Sequence, residues 1–189
     1  MSFIDPIKDI VSVLRSDGVI LYPSDTVWGI GCSIFSVTAS KKIYQIKNRD
    51  KSKPLLILVD SIEMLKKYIS DIHPRIETLL VYHKQPLTII YTANDRIPKH
   101  LLCGSKTIGI RVVQDEFCKS LINLLGHPIT STSANLASQP TPQGFCQIDP
   151  TITDQSDYVV QYRRQDQATS NPSVIARFDH KGNLIVLRR

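Results

Sequence analysis

Cysteine is scarce and scattered. Its four positions, Cys32, Cys103, Cys118 and Cys146, form no C-x-x-C pair and have no histidine partner at metal-ligand spacing. This argues against a zinc module or a disulfide framework and fits free thiols in a reducing compartment. No apolar run approaches membrane-spanning length, and the N-terminus carries Asp5 and Asp9 where a secretory leader would carry a basic region and an apolar core. The chain is therefore expected in the cytoplasm. It has no internal repeat or long low-complexity tract, no RNP-type aromatic motif and no Lys/Arg repeat, which weakens the case for a dedicated RNA-binding module. No Gly-x-Ser-x-Gly elbow surrounds Ser131 or Ser133, which weighs against a serine hydrolase.

What is present describes a folded domain. Hydrophobic residues make up 42% and charged residues 21% of 189, enough to bury a core without metals or disulfides, and one domain over 1–189 is expected. The 23 Lys+Arg against 17 Asp+Glu give +6, which attracts polyanions: a nucleotide, RNA, or nothing more specific than counter-ions.

Apolar spacing predicts helices and strands in alternation. Asp5-Pro6 reads as an N-cap and first helical residue ahead of Ile7, Ile10, Val11 and Leu14, and Gly18 ends that helix. Val19–Tyr22 and Val27–Cys32 read as strands, and Ser36 or Thr38 caps a helix carrying Ala39, Ile43 and Ile46. Leu55–Val59 is a strand buried on both faces, and Asp60-x-x-Glu63 resembles a capping box opening a helix through Tyr68. A helix follows from His73 to about His83, then a strand over Leu87–Thr92, a loop over Asn94–Ser105 and a strand over Thr107–Val113. A helix closed by Gly126 leads to a short strand, Pro128–Ser131, and then a Ser/Asn loop; Ser138–Pro150 reads as an extended surface loop. Tyr158–Gln161, Ser173–Phe178 and Leu184–Leu187 read as strands, the last two joined by a turn around 180–183, so the sheet is expected to be mixed.

The most informative stretch runs from Val19 to Val59. Ser24, Asp25 and Thr26 stand in a tight loop between two apolar strands, and Lys47, Arg49, Lys51 and Lys53 crowd the end of a helix just before Pro54. Such a cation run reads either as an anion site or as a solvated helix end favoured by the macrodipole. A second polar loop, Ser131-Thr132-Ser133-Ala134-Asn135, also follows a strand; it reads as a ligand loop of the kind α/β proteins place at strand ends, or as an ordinary turn.

The segments YPSDTVWGIGC, IKNRDKSKPL, TIGIRV, ITSTSAN and NPSVI occur in the order found in the YrdC/TsaC family, the threonylcarbamoyl-AMP synthases of tRNA modification, and the chain resembles the short form of that family from Tyr22 onward. The resemblance implies an α/β fold with an open, twisted, mixed sheet, flanking helices and a deep basic cleft. It implies condensation of L-threonine, bicarbonate and ATP to threonylcarbamoyl-AMP and pyrophosphate, for N6-threonylcarbamoyladenosine in tRNAs that read ANN codons. Residue by residue, it implies catalytic Lys47 and Arg49; nucleotide contacts from Lys47, Arg49, Lys53, Thr107, Ser133, Asn135, Thr141, Ser173 and Arg188; and threonine contacts from Thr26, Arg111 and Ser131. Mg²⁺ is expected to accompany ATP with no protein ligand assigned. The implied partners are downstream threonylcarbamoyl transferase proteins, with tRNA or double-stranded RNA left open.

Phosphoryl transfer needs positive charge on the phosphate oxygens and an aligned nucleophile, which is why a Lys/Arg cluster beside small hydroxyl donors suits this chemistry. On residues alone Arg111 also reads as a surface charge closing a strand, Asp25 as a turn former, and Trp28 as core. Leu58 departs from relatives that carry a polar, substrate-contacting side chain there, and the Leu-Arg-Arg tail lacks the Pro-Gly that follows in many of them.

Overall fold

The computed structural model describes residues 3–82, 85–166, 171–179 and 182–188. In chain order its elements are α1 (Ile7–Arg15), β1 (Ile20–Tyr22), β2 (Gly29–Gly31), α2 (Val37–Ile46), β3 (Leu56–Val59), α3 (Ile62–Tyr68), α4 (Pro74–Tyr82), β4 (Leu87–Thr92), α5 (Lys99–Leu102), β5 (Thr107–Val112), α6 (Glu116–Leu125), β6 (Ile129–Ser133), α7 (Pro150–Gln155), β7 (Tyr158–Val159), β8 (Val174–Phe178) and β9 (Leu184–Arg188). The strands form one sheet in the order β7-β1-β2-β6-β3-β5-β4-β8-β9. Pairings are parallel for β1/β7, β3/β5 and β4/β8 and antiparallel for the rest, so the expected mixed sheet and terminal hairpin are both present.

The central strands are covered and the helices supply the cover. Ile57, Leu58 and Val59 of β3 are fully buried, as are Ile20 and Leu21 of β1. Helix α1 turns Ile10, Val11 and Leu14 inward and packs on α6, whose Phe117, Leu121 and Ile122 are also fully buried. Truncating any one of these leucines or isoleucines to alanine would cost about 2–5 kcal/mol through lost transfer energy and the cavity left behind. The chain reverses after α6 at Gly126, where φ is 85°, a conformation that a Cβ would strain.

Several local expectations needed revision. Asp5 does not cap α1; Pro6 occupies the N-cap position, and the buried Asp5 carboxylate instead accepts from the N–H groups of Gln161 and Tyr162 and from the Tyr158 hydroxyl. The cap of α3 is Ser61, whose Oγ accepts from Met64 N–H at 3.1 Å, not Asp60, which accepts from the Ser61 hydroxyl. Ser36 is the cap of α2. The Asn94–Ser105 stretch contains the short helix α5, and the supposed surface loop over 138–150 contains a 3-10 turn, Phe145–Gln147, directly before α7. Strand β6 continues through Ser133, two residues past the expected end at Ser131, so Thr132 and Ser133 pair in the sheet. Of the expected hairpin turn at 180–183, the first two residues lie outside the described residues.

Candidate functional site: an arginine-lined cleft

A cavity of ≈ 280 Å³ opens across the sheet between the Ser24–Gly29 stretch, the Arg49–Leu56 approach to β3, and the β4, β5, β6 and β8 strands. Strand alternation decides what faces it: Thr88 and Ile90 of β4, Gly109 and Arg111 of β5, and Ser131 and Ser133 of β6 line the cavity together with Thr132. Arg49, Arg111 and Arg188 all contribute to its wall, and none of its described lining residues is a carboxylate.

At one end Arg111 is almost wholly buried. Its Nη1 donates to Thr26 Oγ1 at 2.7 Å and its Nη2 to Ser24 Oγ at 3.4 Å. Nη2 also lies 3.2 Å from Asp25 Oδ1, with charge attraction but no hydrogen-bond alignment, and Arg111 Nε has no hydrogen-bond partner. Asp25 is held in turn by Gln114 N–H at 3.1 Å. The guanidinium brings a positive charge to this end of the cavity, which suits an anionic ligand group. Beside it, Tyr22 donates from its hydroxyl to Ser131 Oγ at 2.8 Å; burial pushes the Tyr22 phenol well above its usual pKa, so it remains a donor. Gly29 leaves room beside this contact: a Cβ there would sit 3.2 Å from Ser131 Oγ and 3.3 Å from the Tyr22 ring and would press on both.

The other end is built on the C-terminus of α2. Lys47 is its C-cap, and the left-handed residue that follows, Asn48 at φ 46°, turns the chain so that Arg49 reaches the cavity. Arg49 is braced by the carbonyls of Lys53 (3.3 Å) and Pro54 (3.2 Å). Lys47 is buried: its Nζ donates to the carbonyls of Ser133 and Asn135, and its own carbonyl accepts from Ala137 N–H at 2.8 Å. This lysine therefore fastens the 133–137 loop to α2. Burial, and secondarily the Arg49 charge, lower its pKa to about 8. Ser133 donates its hydroxyl proton to Asn135 Oδ1, and Asn135 Nδ2 donates to the carbonyls of Leu136 (3.0 Å) and Gln139 (2.7 Å). Beside Arg111 in the sheet stands its cross-strand partner Thr88, whose Oγ1 is 2.7 Å from Ser173 Oγ, and Arg188 Nη2 donates to Ser173 carbonyl at 3.0 Å.

Of the residues singled out from sequence, Thr26, Arg49, Arg111, Ser131, Ser133, Thr141, Ser173 and Arg188 line one cavity. Lys47 and Asn135 stand behind its wall, joined to it through Ser133. Lys53 is exposed and contributes its carbonyl to Tyr44 and Arg49. Thr107 is exposed at the start of β5, its hydroxyl 3.0 Å from Ser105 Oγ, and lies outside the lining. Leu58 is buried in β3 opposite Arg111 and Ile129 and also lies outside it. Three lining hydroxyls were not singled out as contacts, Ser24, Thr88 and Thr132. Thr88 had a legible signal: it is the one polar residue in the otherwise apolar run Leu87–Tyr91 apart from the terminal Tyr91 hydroxyl.

The fold and the cleft define a class, an open mixed-sheet α/β protein with arginines gathered at its ligand cavity. The chain belongs to the Sua5/YciO/YrdC family, whose model, described as telomere recombination, matches residues 12–189. It is 33% identical over 133 residues to a threonylcarbamoyl-AMP synthase of Klebsiella pneumoniae, covering 69% of this chain and 70% of that one. A threonylcarbamoyl-AMP synthase of Hydrogenovibrio crunogenus is 29% identical over 154 residues, covering 77% and 82%. Among solved structures, Escherichia coli YciO superposes with a TM-score of 0.82 at 25% identity over 97% of this chain and 88% of that one. Pyrococcus abyssi Sua5 complexed with L-threonine superposes at 0.84 with 22% identity, over 96% of this chain and 53% of that one, a likeness of fold. The chain thus spans about half the length of that Sua5.

Proposed function

We propose that this chain, as one domain, is an L-threonylcarbamoyladenylate synthase. The observation that carries this reading is the division of one cavity into two differently equipped ends, Arg49 with the Lys47-held Ser133/Asn135 loop at one and the Arg111–Thr26 pair at the other. The threonine amine and bicarbonate give a carbamate with loss of water. An oxygen of that carbamate then attacks the α-phosphorus of ATP, and pyrophosphate leaves with the electron pair of the broken P–O bond.

In this reading Arg111 takes the threonine carboxylate, Thr26 and Ser131 fix the amino acid, and Tyr22 orients Ser131. Arg49 places positive charge on the phosphate oxygens, where it opposes the charge that builds during transfer, while Lys47 adds a point charge and holds Ser133 and Asn135 in place. Thr141, Ser173 and Arg188 are assigned to the nucleotide; Lys53 and Thr107 would reach it only from outside the cavity as it stands. Mg²⁺ fits as a companion of the phosphates: among the described residues no three His, Cys, Asp or Glu side chains gather, so its ligands would come from ATP and water, and it would neutralise the leaving pyrophosphate. Downstream threonylcarbamoyl transferase proteins, a cytoplasmic setting and tRNA or double-stranded RNA as partner belong to the same proposal. No helix of the described residues is long and apolar enough to cross a membrane.

Labelled ATP supplied with and without threonine and bicarbonate tests the reading. Pyrophosphate release is expected to require both; release indifferent to threonine would overturn it.

A further inference from the structure

The turn that follows β7 makes contacts that the reaction above does not use. It is anchored at its start by Asp5, whose carboxylate accepts from Gln161 N–H at 2.8 and 2.9 Å and from Tyr162 N–H at 2.8 Å. The backbone then enters the left-handed region at Arg163, φ 63°, which is unfavourable for a residue with a Cβ and persists only where surrounding contacts hold it. Those contacts are present. Arg163 Nη1 donates to the Ser24 carbonyl and to Asp115 Oδ2, both at 3.2 Å, and Nε donates to Asp166 Oδ2 at 2.6 Å. Asp115 is itself the N-cap of α6, accepting from Cys118 N–H at 2.9 Å. The next residue grips a different segment. Arg164 lays its guanidinium 4.6 Å over the Phe145 ring, and that ring lies 4.9 Å from Trp28, centroid to centroid.

Two consecutive arginines thus hold the two ends of the Ser24–Trp28 stretch, one by a carbonyl and one through an aromatic stack. A cavity of only ≈ 20 Å³ lies between Ser24, Thr26 and Trp28 on one side and Gln143, Arg163 and Asp166 on the other. It is no anion pocket, because two carboxylates already answer the single guanidinium at its edge. What the contact does is fix Ser24. From there the constraint passes to the substrate end: Ser24 Oγ lies 2.9 Å from Thr26 Oγ1 and 3.4 Å from Arg111 Nη2.

We propose that residues 161–166 form a clasp and that Arg163 is a positioning residue for the amino-acid end of the cleft, setting where Thr26 and Arg111 stand. The amino-acid part of this rests on the threonine reading of that end; the clasp itself does not.

The Arg163→Gly variant removes every side-chain contact while glycine adopts the same left-handed backbone, so the substitution adds no backbone strain. Amide hydrogen exchange over residues 24–28 is expected to quicken ~10-fold or more, since these amides would open locally. The KM for threonine should rise ~10-fold, with the KM for ATP and kcat within about twofold, because a displaced hydroxyl and guanidinium misplace one substrate only. Arg163→Lys, which keeps a charge but only one donor group, should fall between. Unchanged exchange at 24–28 overturns the clasp whatever the substrate is. Faster exchange with an unchanged threonine KM overturns the positioning role and leaves a structural contact. A wild-type protein that turns over ATP without threonine overturns the threonine reading instead, and the exchange measurement still decides the clasp.

Discussion

Burial of Lys47 against the carbonyls of Ser133 and Asn135, with Arg49 nearby, holds its pKa at about 8 instead of the usual 10.5. The sign of the consequence follows. Between about pH 8 and 10.5 the folded chain binds less of this proton than the unfolded chain, so the penalty for keeping Lys47 charged is complete below pH 8 and is relieved as the pH rises through that window. Urea midpoints should show this slope in the wild type and lose it in Lys47→Met. Phosphates bound nearby would raise the pKa again, so nucleotide binding above pH 8 should take up a proton and none at pH 7. Calorimetry in two buffers of different ionisation enthalpy measures that uptake; none at pH 9 would place the phosphates away from Lys47. The sequence marked Lys47 as a cation in a basic run, but not that it is buried, because nothing local in IKNRDKSKP indicates that a loop some ninety positions on supplies its acceptors. Arg111 is the same case. Read on its own it closes a strand; folded, it stands in the core with Asp25, and Asp25→Ala should cost about 3–5 kcal/mol in denaturant titration by leaving a buried guanidinium without its counter-charge.

Among the elements, periodicity found the long helices and the buried strands, since their apolar spacing repeats over two or more turns or across several strand positions. It failed at α5 and α7, of four and six residues, which are too short to show a period and are fixed by tertiary contact. It also misplaced two acids. Asp5 and Asp60 both sit where an N-cap would be plausible, yet a neighbouring residue took the position each time, and Asp5 was drawn to two N–H groups more than 150 residues along the chain. No local pattern reports such a partner. The tie matters because β7 joins the sheet through only two register pairs, and Asp5 fixes the chain where it leaves that strand. Asp5→Ala should therefore lower stability by about 2 kcal/mol, the order expected when hydrogen bonds to a charged acceptor are lost. Asp5→Asn, which keeps an acceptor oxygen, should lose less. Equal losses in the two variants, measured by urea titration, would mean that packing and not the acceptor holds the segment.

At the scale of the whole molecule, the mixed sheet and its terminal hairpin were legible because the succession of helices and strands along the chain survives local errors, whereas the cavity was legible only as a set of motifs. Its walls come from stretches around residues 24–29, 49–56, 88–90, 109–111, 131–133, 141, 172–175 and 188, brought together by a strand order that sequence does not print. A ligand bound there touches most of the sheet and should stabilise the chain globally. At one hundred times its dissociation constant, a ligand that binds only the folded state adds about 2.7 kcal/mol. For a chain of this size that is roughly 5–10 °C in Tm. ATP and threonine should each produce such a shift if the cavity has the two ends described. The variants then separate them: Arg49→Ala should lose the ATP shift and keep that of threonine, because the phosphates lose their braced guanidinium while the Arg111–Thr26 pair is untouched. Arg111→Ala should do the reverse, leaving the ATP shift largely intact from a lower starting Tm. Thermal scans over a ligand titration read all four combinations. Loss of both shifts in both variants would mean that the cavity works as one undivided site, and retention of the threonine shift in Arg111→Ala would remove that arginine from the amino-acid end.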